Sequence, residues 1–178
     1  MKLHLGCGTV KLAGYHNVDF DKSASAADEA CDLTKIPWPW QDGSIDEIYT
    51  SHTFEHLPFK ATFEECYRVL KPNGILHVEV PHGNTYVYLL NPTHCTILSY
   101  QSFDPWTAGL SHSSYGITMR WKVLRRKIYF MGRNQGMLRD FINFFVNPVI
   151  NAFPVIYERF FMYILPSANL EFVLEKQS

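Results

Sequence analysis

Cysteine is sparse in this 178-residue chain. Cys7, Cys31, Cys66 and Cys95 form no C-x-x-C pair and no disulfide-like cluster. That spacing reads as reduced thiols in a cytoplasmic setting. Long apolar runs are missing too. No stretch of 18 or more uncharged apolar residues occurs, and the first residues enter a strand pattern directly. Both facts argue against a spanning helix and a secretory leader. There is no internal repeat and no low-complexity run. Neither sign of charge dominates: 16 Lys and Arg stand against 17 Asp and Glu, a net charge of −1. This is not the balance of an electrostatic nucleic-acid binder, and no nucleic acid is expected as partner.

One absence is local. No acid lies between Asp104 and Asp140, while Arg120, Lys122, Arg125, Arg126, Lys127, Arg133 and Arg139 all do. Eleven of the seventeen acids fall within the first 65 residues. The later region is expected either to meet something anionic or to be a solvated strand face. With 47% apolar and 19% charged residues, the whole chain, 1–178, reads as one globular domain with a real core.

What is present begins at the N-terminus. Leu3 and Leu5 read as a short buried strand, and Gly6-Cys7-Gly8 as a sharp turn after it. Val18 and Phe20 read as a second strand carrying Asp19 at its end. A glycine turn after one strand and a carboxylate after the next is how an α/β sheet holds a nucleoside. Glycine lets backbone approach the ligand, and the acid accepts from ribose hydroxyls. Three features follow in order. Asp28-Glu29-Ala30-Cys31-Asp32-Leu33 reads as a short strand ending in an acid. Asp42 to His52 reads as a turn and a strand. Tyr67 to Pro81 reads as a helix end, a tight turn and another strand.

This ordered set resembles the class I S-adenosylmethionine-dependent methyltransferases, in particular the methyltransferase type 11 group. The likeness covers residues 2 to about 81 and is strongest in DGSIDEIYTSHTFEHL and ECYRVLKPNGILHVEVP. It implies an α/β, Rossmann-like fold, with a mostly parallel sheet, helices on both faces and a helical C-terminal addition. Residues 1–81 would form the cofactor-binding half and 82–178 the acceptor-binding loops, basic strand and C-terminal helices. It implies S-adenosyl-L-methionine as cofactor, held by Leu5, Gly6, Cys7, Gly8, Asp19, Asp32, Leu33, Ser51 and His52. Gly6 and Gly8 would face the methionine part and the ribose, and Asp19 would take the ribose hydroxyls. Asp32 would accept from the adenine amino group, with Leu33 over the ring. Ser51 and His52 would sit near the transferred methyl. Two departures stand out: His4 replaces the usual acid, and Thr9-Val10 follow where a third glycine is common. Only ten residues separate Gly8 from Asp19, so the first crossover helix is expected to be very short or absent.

The function implied is methyl transfer, with O-methylation of a sugar or other small hydroxyl, free or carrier-linked, in glycan or cell-envelope biosynthesis as the expected reaction. Base candidates are His94, His82 and His52, followed by His112. One alternative is a non-catalytic chain that keeps the fold as a ligand-binding or partner subunit. Another arises from His52-Thr53-Phe54-Glu55-His56, which is H-x-x-E-H, an inverted zincin motif. Its place directly after a strand and before Pro58 argues against a zinc hydrolase, and no metal is expected. A helix is expected over 60–70 and strands over 75–80, 121–130 and 169–174. Two helices are expected in 136–165, with Pro148 and Pro154 as breaks. That segment is rich in Phe and Tyr. Part of it is expected to form an apolar surface, either a homodimer face or a peripheral contact at the inner side of a membrane.

Overall fold

The computed structural model describes residues 1–23, 25–107, 119–132 and 136–178. His112 and Arg133 lie outside the described residues. Seven strands form one sheet: β1 (Lys2–Leu5), β2 (His16–Asp19), β3 (Glu29–Ala30), β4 (Ile45–Ser51), β5 (Leu70–Pro81), β6 (Trp121–Tyr129) and β7 (Asn169–Lys176). Their order is β3-β2-β1-β4-β5-β7-β6. The first five run parallel, and β7 runs antiparallel to both its neighbours. Four helices are named in chain order: α1 (Phe59–Val69), α2 (Tyr86–Leu90), α3 (Met137–Ala152) and α4 (Pro154–Ile156).

Register places Leu3, Ile48, Leu76 and Leu174 in one row across four strands, and all four are fully buried. On this face Phe103 packs on Phe172, ring centroids 4.6 Å apart, and α1 brings Phe63 onto Phe103 and stacks it on Trp121 at 4.8 Å. α1 forms because Phe63, Cys66 and Val69 recur at helical spacing on its buried side. The opposite face carries a row of polar rings instead. His4 meets Tyr49 edge-on at 5.3 Å, and Tyr49 meets His77 at 4.9 Å.

The expected shortening of the first crossover is observed: residues 6–15 join β1 to β2 without a helix. A buried asparagine braces the connection instead. Asn17 Oδ1 accepts from His4 Nδ1 (3.0 Å) and from the Leu12 amide (2.9 Å). Its Nδ2 donates to the carbonyls of Leu12 and Tyr15 and to Asp28 Oδ2. The β3–β4 connection is fastened similarly. Arg68 of α1 donates to the Trp38 and Trp40 carbonyls and to Asp42, while Glu65 receives the Trp38 amide. Arg68 holds the Glu65 carboxyl below the usual carboxylate range.

Two expectations need correction. Pro148 does not end a helix: α3 runs through it to Ala152 and breaks at Phe153-Pro154. The basic strand is also partly neutralised within the fold. Arg125 pairs with Glu171, and Arg126 pairs with Asp104 at 2.7 Å while lying over the Tyr100 ring.

α3 docks in an unusual way. Asn143, Asn147 and Asn151 form a stripe on one side of it. Asn151 accepts from the Ile128 amide (2.8 Å) and donates to the Ile128 carbonyl (2.8 Å). Asn147 accepts from the Phe130 amide, and Asn143 exchanges two bonds with Met131. These backbone groups belong to the free side of β6 and the residues just after it. Helix residues four apart are separated by about 6 Å along the axis, and strand residues two apart by about 6.6 Å. An i, i+4 ladder of amides therefore fits the outward-facing groups of a strand edge, and it protects that edge from pairing elsewhere.

Candidate functional site

The parallel strands end on one edge of the sheet, and there the predicted residues meet. A cavity of about 590 Å³ is lined by Gly6, Gly8, Asp19, Asp32, Leu33 and His52 from the sequence reading, and also by Phe20, Asp21, Ser25, Cys31, Thr34, Thr53, His56 and Leu57. Leu5, Cys7 and Ser51 are not among its walls. Leu5, before the turn, and Cys7, within it, are both buried, and Ser51 belongs to β4 one residue before the cavity wall begins at His52.

Each part of the rim has a local cause. Gly6 has φ +66°, and a Cβ there would lie 2.1 Å from Thr53 Oγ1. Only glycine allows both that backbone angle and that contact. Gly8, at φ +50°, has open space where its side chain would be. Its amide donates to Asp19 Oδ2 at 2.8 Å, so the turn orients the carboxylate at the end of β2. Asp32 is held in a turn by the hydroxyl and amide of Thr34 at 2.6 and 3.1 Å. These bonds, the hydroxyl foremost, keep its carboxyl below the usual range. Burial pushes the Cys31 thiol up, so it serves as an uncharged wall.

His52 directly follows β4 at φ +54°, a backbone region that non-glycine residues seldom occupy and that concentrates at functional sites. Its amide donates to the Glu79 carbonyl, which holds the bend in place. Nδ1 faces Glu55 Oε1 at 3.5 Å, and the Glu55 side chain is 2% exposed. Nε2 lies 3.4 Å from Asn169 Nδ2. His52 also lines a second cavity of about 470 Å³, with Thr85, Tyr86, Phe130, Met131, Gly132, Arg139 and residues 166–169. It therefore stands between two cavities.

The other two histidine candidates line neither cavity. His82 is 1% exposed; its Nδ1 receives the Asn84 amide, and Nε2 faces Glu158 Oε1 at 2.8 Å. Glu158 also receives the Tyr100 amide. His82 is thus a buried fastener between β5 and the C-terminal segment. His94 faces the Tyr88 carbonyl through Nδ1 and packs on His56 at 4.6 Å.

The H-x-x-E-H motif begins just after β4 and ends in a 3₁₀ turn, Phe54–His56, rather than lying on an α-helix. Its two histidines do not converge as a zincin pair. His56 turns instead to Thr93 and His94. Glu55, His56 and His94 bring ligand atoms within 4.8 Å of one another, a donor set that a divalent cation can use. Spacing in sequence did not reveal this set, because His94 arrives from a distant loop.

Residues 3–78 match the methyltransferase domain family. A curated relative from Mycolicibacterium smegmatis, named "Probable S-adenosylmethionine-dependent methyltransferase", is 37% identical over 67 residues, 35% of this chain. The match spans a quarter of that relative's own length (25%). Among solved structures, a SAM-dependent methyltransferase from Archaeoglobus fulgidus superimposes with a TM-score of 0.58 at 15% identity. That match covers 98% of this chain and 85% of the other. One from Mesorhizobium loti gives 0.54 at 15% identity, covering 98% and 90%. Phosphoethanolamine N-methyltransferase 2 of Haemonchus contortus, solved with S-adenosyl-L-methionine, gives 0.58 at 13% identity, covering 99% and 48%. By sequence, then, residues 3–78 are similar to the methyltransferase domain family, and the chain shares its fold with solved S-adenosylmethionine-dependent methyltransferases.

Proposed function

We propose that this chain transfers a methyl group from S-adenosyl-L-methionine to a hydroxyl of a sugar or similar small acceptor, with His52 as general base. The observation that carries the reading is the position of His52 in the wall shared by two cavities, one of them built for a nucleoside.

The residues fit the cofactor. An adenosine needs a carboxylate for its diol, a polar partner for its base edge and apolar walls for its ring. Asp19, already oriented by the Gly8 amide, supplies the first. Asp32, kept ionised by its Thr34 bonds, supplies the second. Leu33, Phe20 and Leu57 supply the walls. Gly8 leaves room for close approach. When bound, the cofactor supplies an electrophilic methyl on a sulfonium sulfur.

The protein's own work is to position, to exclude water and to take a proton. Holding two reactants in line contributes ~7–11 kcal/mol. His52 Nε2 would accept the acceptor's hydroxyl proton as the oxygen attacks, which adds ~10²–10⁴-fold. The buried Glu55 carboxylate beside Nδ1 would stabilise the imidazolium that forms. Acceptor hydroxyls would be held in the second cavity, beside Asn169 and Arg139.

Calorimetry with S-adenosylhomocysteine tests the cofactor half. Binding is expected, and Asp19→Ala should weaken it by about 1.5–3 kcal/mol through lost charge-assisted bonds. Equal affinity in both proteins would refute the assignment of Asp19, and no binding at all would favour a non-catalytic chain.

A further inference from the structure

The asparagine stripe turns α3 inside out. Its polar side grips the sheet, and its apolar side faces outward. Met137 is 90% exposed, Phe144 73% and Phe153 62%; Phe160 and Ile164 continue the face at 63% and 74%. A helix on a globular surface normally shows the reverse pattern. An apolar face this extensive marks a contact with something non-aqueous.

Beneath the face lies a third cavity of about 570 Å³, walled by residues such as Phe145, Val149, Ile150, Phe153 and Ile156. It adjoins the cavity beside His52. Phe130 lines both this cavity and the one beside His52, and the adjacent residues Leu165 and Pro166 line one each. The three cavities are therefore neighbours in a row: the nucleoside cavity and the next share His52, and that one and the apolar compartment share Phe130. α3 walls both of the last two, with Arg139 at the polar cavity and Val149 at the apolar one. Residues 137–165 carry two arginines, Arg139 and Arg159, and two acids, Asp140 and Glu158. The face thus offers apolar contact rather than a field. No described helix is long and apolar enough to cross a membrane.

We propose that the methyl acceptor is an amphiphile drawn from a lipid bilayer. The α3–α4 face rests on that bilayer. The acceptor's aliphatic tail fills the apolar cavity, and its hydroxyl-bearing head reaches His52. This inference rests on the methyltransferase reading above. A second copy of the chain fits the observations less well, because it would cover a compartment that lies next to the cavity beside His52.

The test uses the full chain and neutral phosphatidylcholine vesicles, with S-adenosylhomocysteine calorimetry in parallel. Co-sedimentation is expected at both low and high salt. The double variant Phe144→Glu/Phe160→Glu should lower the bound fraction ~10-fold and leave S-adenosylhomocysteine affinity unchanged. Below its micelle concentration, dodecyl glucoside should bind ~100-fold more tightly than methyl glucoside, and Val149→Trp should remove that gain by filling the cavity. A chain that binds S-adenosylhomocysteine but stays out of the vesicle pellet overturns this proposal and leaves methyl transfer standing. So does a dimer that vesicles do not dissociate and that Phe144→Glu converts to monomer. A chain that pellets but binds no S-adenosylhomocysteine overturns the acceptor assignment together with the function beneath it.

Discussion

Asn151→Ala should destabilise the protein more than the loss of any exposed phenylalanine of the same helix. Asn151 makes three bonds of 2.8 Å: from the Ile128 amide, to the Ile128 carbonyl and to the Asn147 carbonyl. Ile128 is fully buried, so truncation strands its amide and carbonyl away from water. A stranded buried polar group costs about 1–3 kcal/mol. Two of them, with partial access of water, give about 2–4 kcal/mol, against a typical total stability of about 5–15 kcal/mol. In a domain of this size the midpoint should drop by about 5–12 °C. Phe144→Ala removes a side chain that is 73% exposed and should change stability by less than about 0.5 kcal/mol. Thermal unfolding followed by circular dichroism, without vesicles or detergent, compares the two directly. If Phe144→Ala costs as much as Asn151→Ala, the apolar face is buried in solution and the inside-out account of α3 fails.

His52→Gln should lower turnover on an accepted substrate ~10²-fold or more while S-adenosylhomocysteine affinity holds. A rate loss accompanied by an equal loss of cofactor affinity would assign His52 to binding instead. Gly6→Ala should abolish cofactor binding, because its Cβ would lie 2.1 Å from Thr53 Oγ1 at a φ of +66°. Pairing it with Thr53→Ser, which keeps the hydroxyl, should not restore binding, whereas pairing with Thr53→Gly should restore part of it. Burial holds the His4 imidazole below its ordinary pKa, so the unfolded chain takes up its proton first. That contribution to stability is complete above about pH 6.5 and is lost as pH falls from there towards the folded value. His4→Gln should flatten the fall in melting temperature across that window, and an unchanged slope would count against the assignment.

Much of the cavity rim is legible in the sequence because its residues are placed locally. Gly6, Gly8, Asp19 and Asp32 each sit at a strand end, and strand ends can be read from short apolar runs closed by turn residues. Cys31, Thr34 and Leu57 escaped notice because they line the cavity only through the path of their loops. The surroundings of the histidine candidates are not legible in the sequence for a related reason. His82 and His94 have the right sequence context, but Glu158 and His56 reach them from segments that spacing cannot place. In the sequence Pro148 reads as a helix stop, because proline removes one donor. The asparagine stripe anchors the helix to β6 on both sides of that position, and this tertiary support outweighs the local loss. The stripe itself, asparagines at 143, 147 and 151, was visible in the sequence. It went unread because polar residues at helical spacing are ordinarily assigned to solvent.

The position of β7 has a consequence for how the chain is made. Among the described strands β6 has β7 as its one neighbour in the sheet, and β7 enters between β5 and β6. Residues 130–168 leave the ribosome after β6 and before β7. The aromatic helix is therefore exposed while the strand that carries it still lacks its hydrogen-bonded neighbour. During that interval the nascent chain presents an unpaired edge and an unsheltered apolar segment together, the two features that drive misassembly. A lipid surface or a chaperone able to take up this segment during synthesis would act on yield rather than on catalysis. Expression at a reduced rate of elongation would lengthen the exposure and raise the fraction that aggregates.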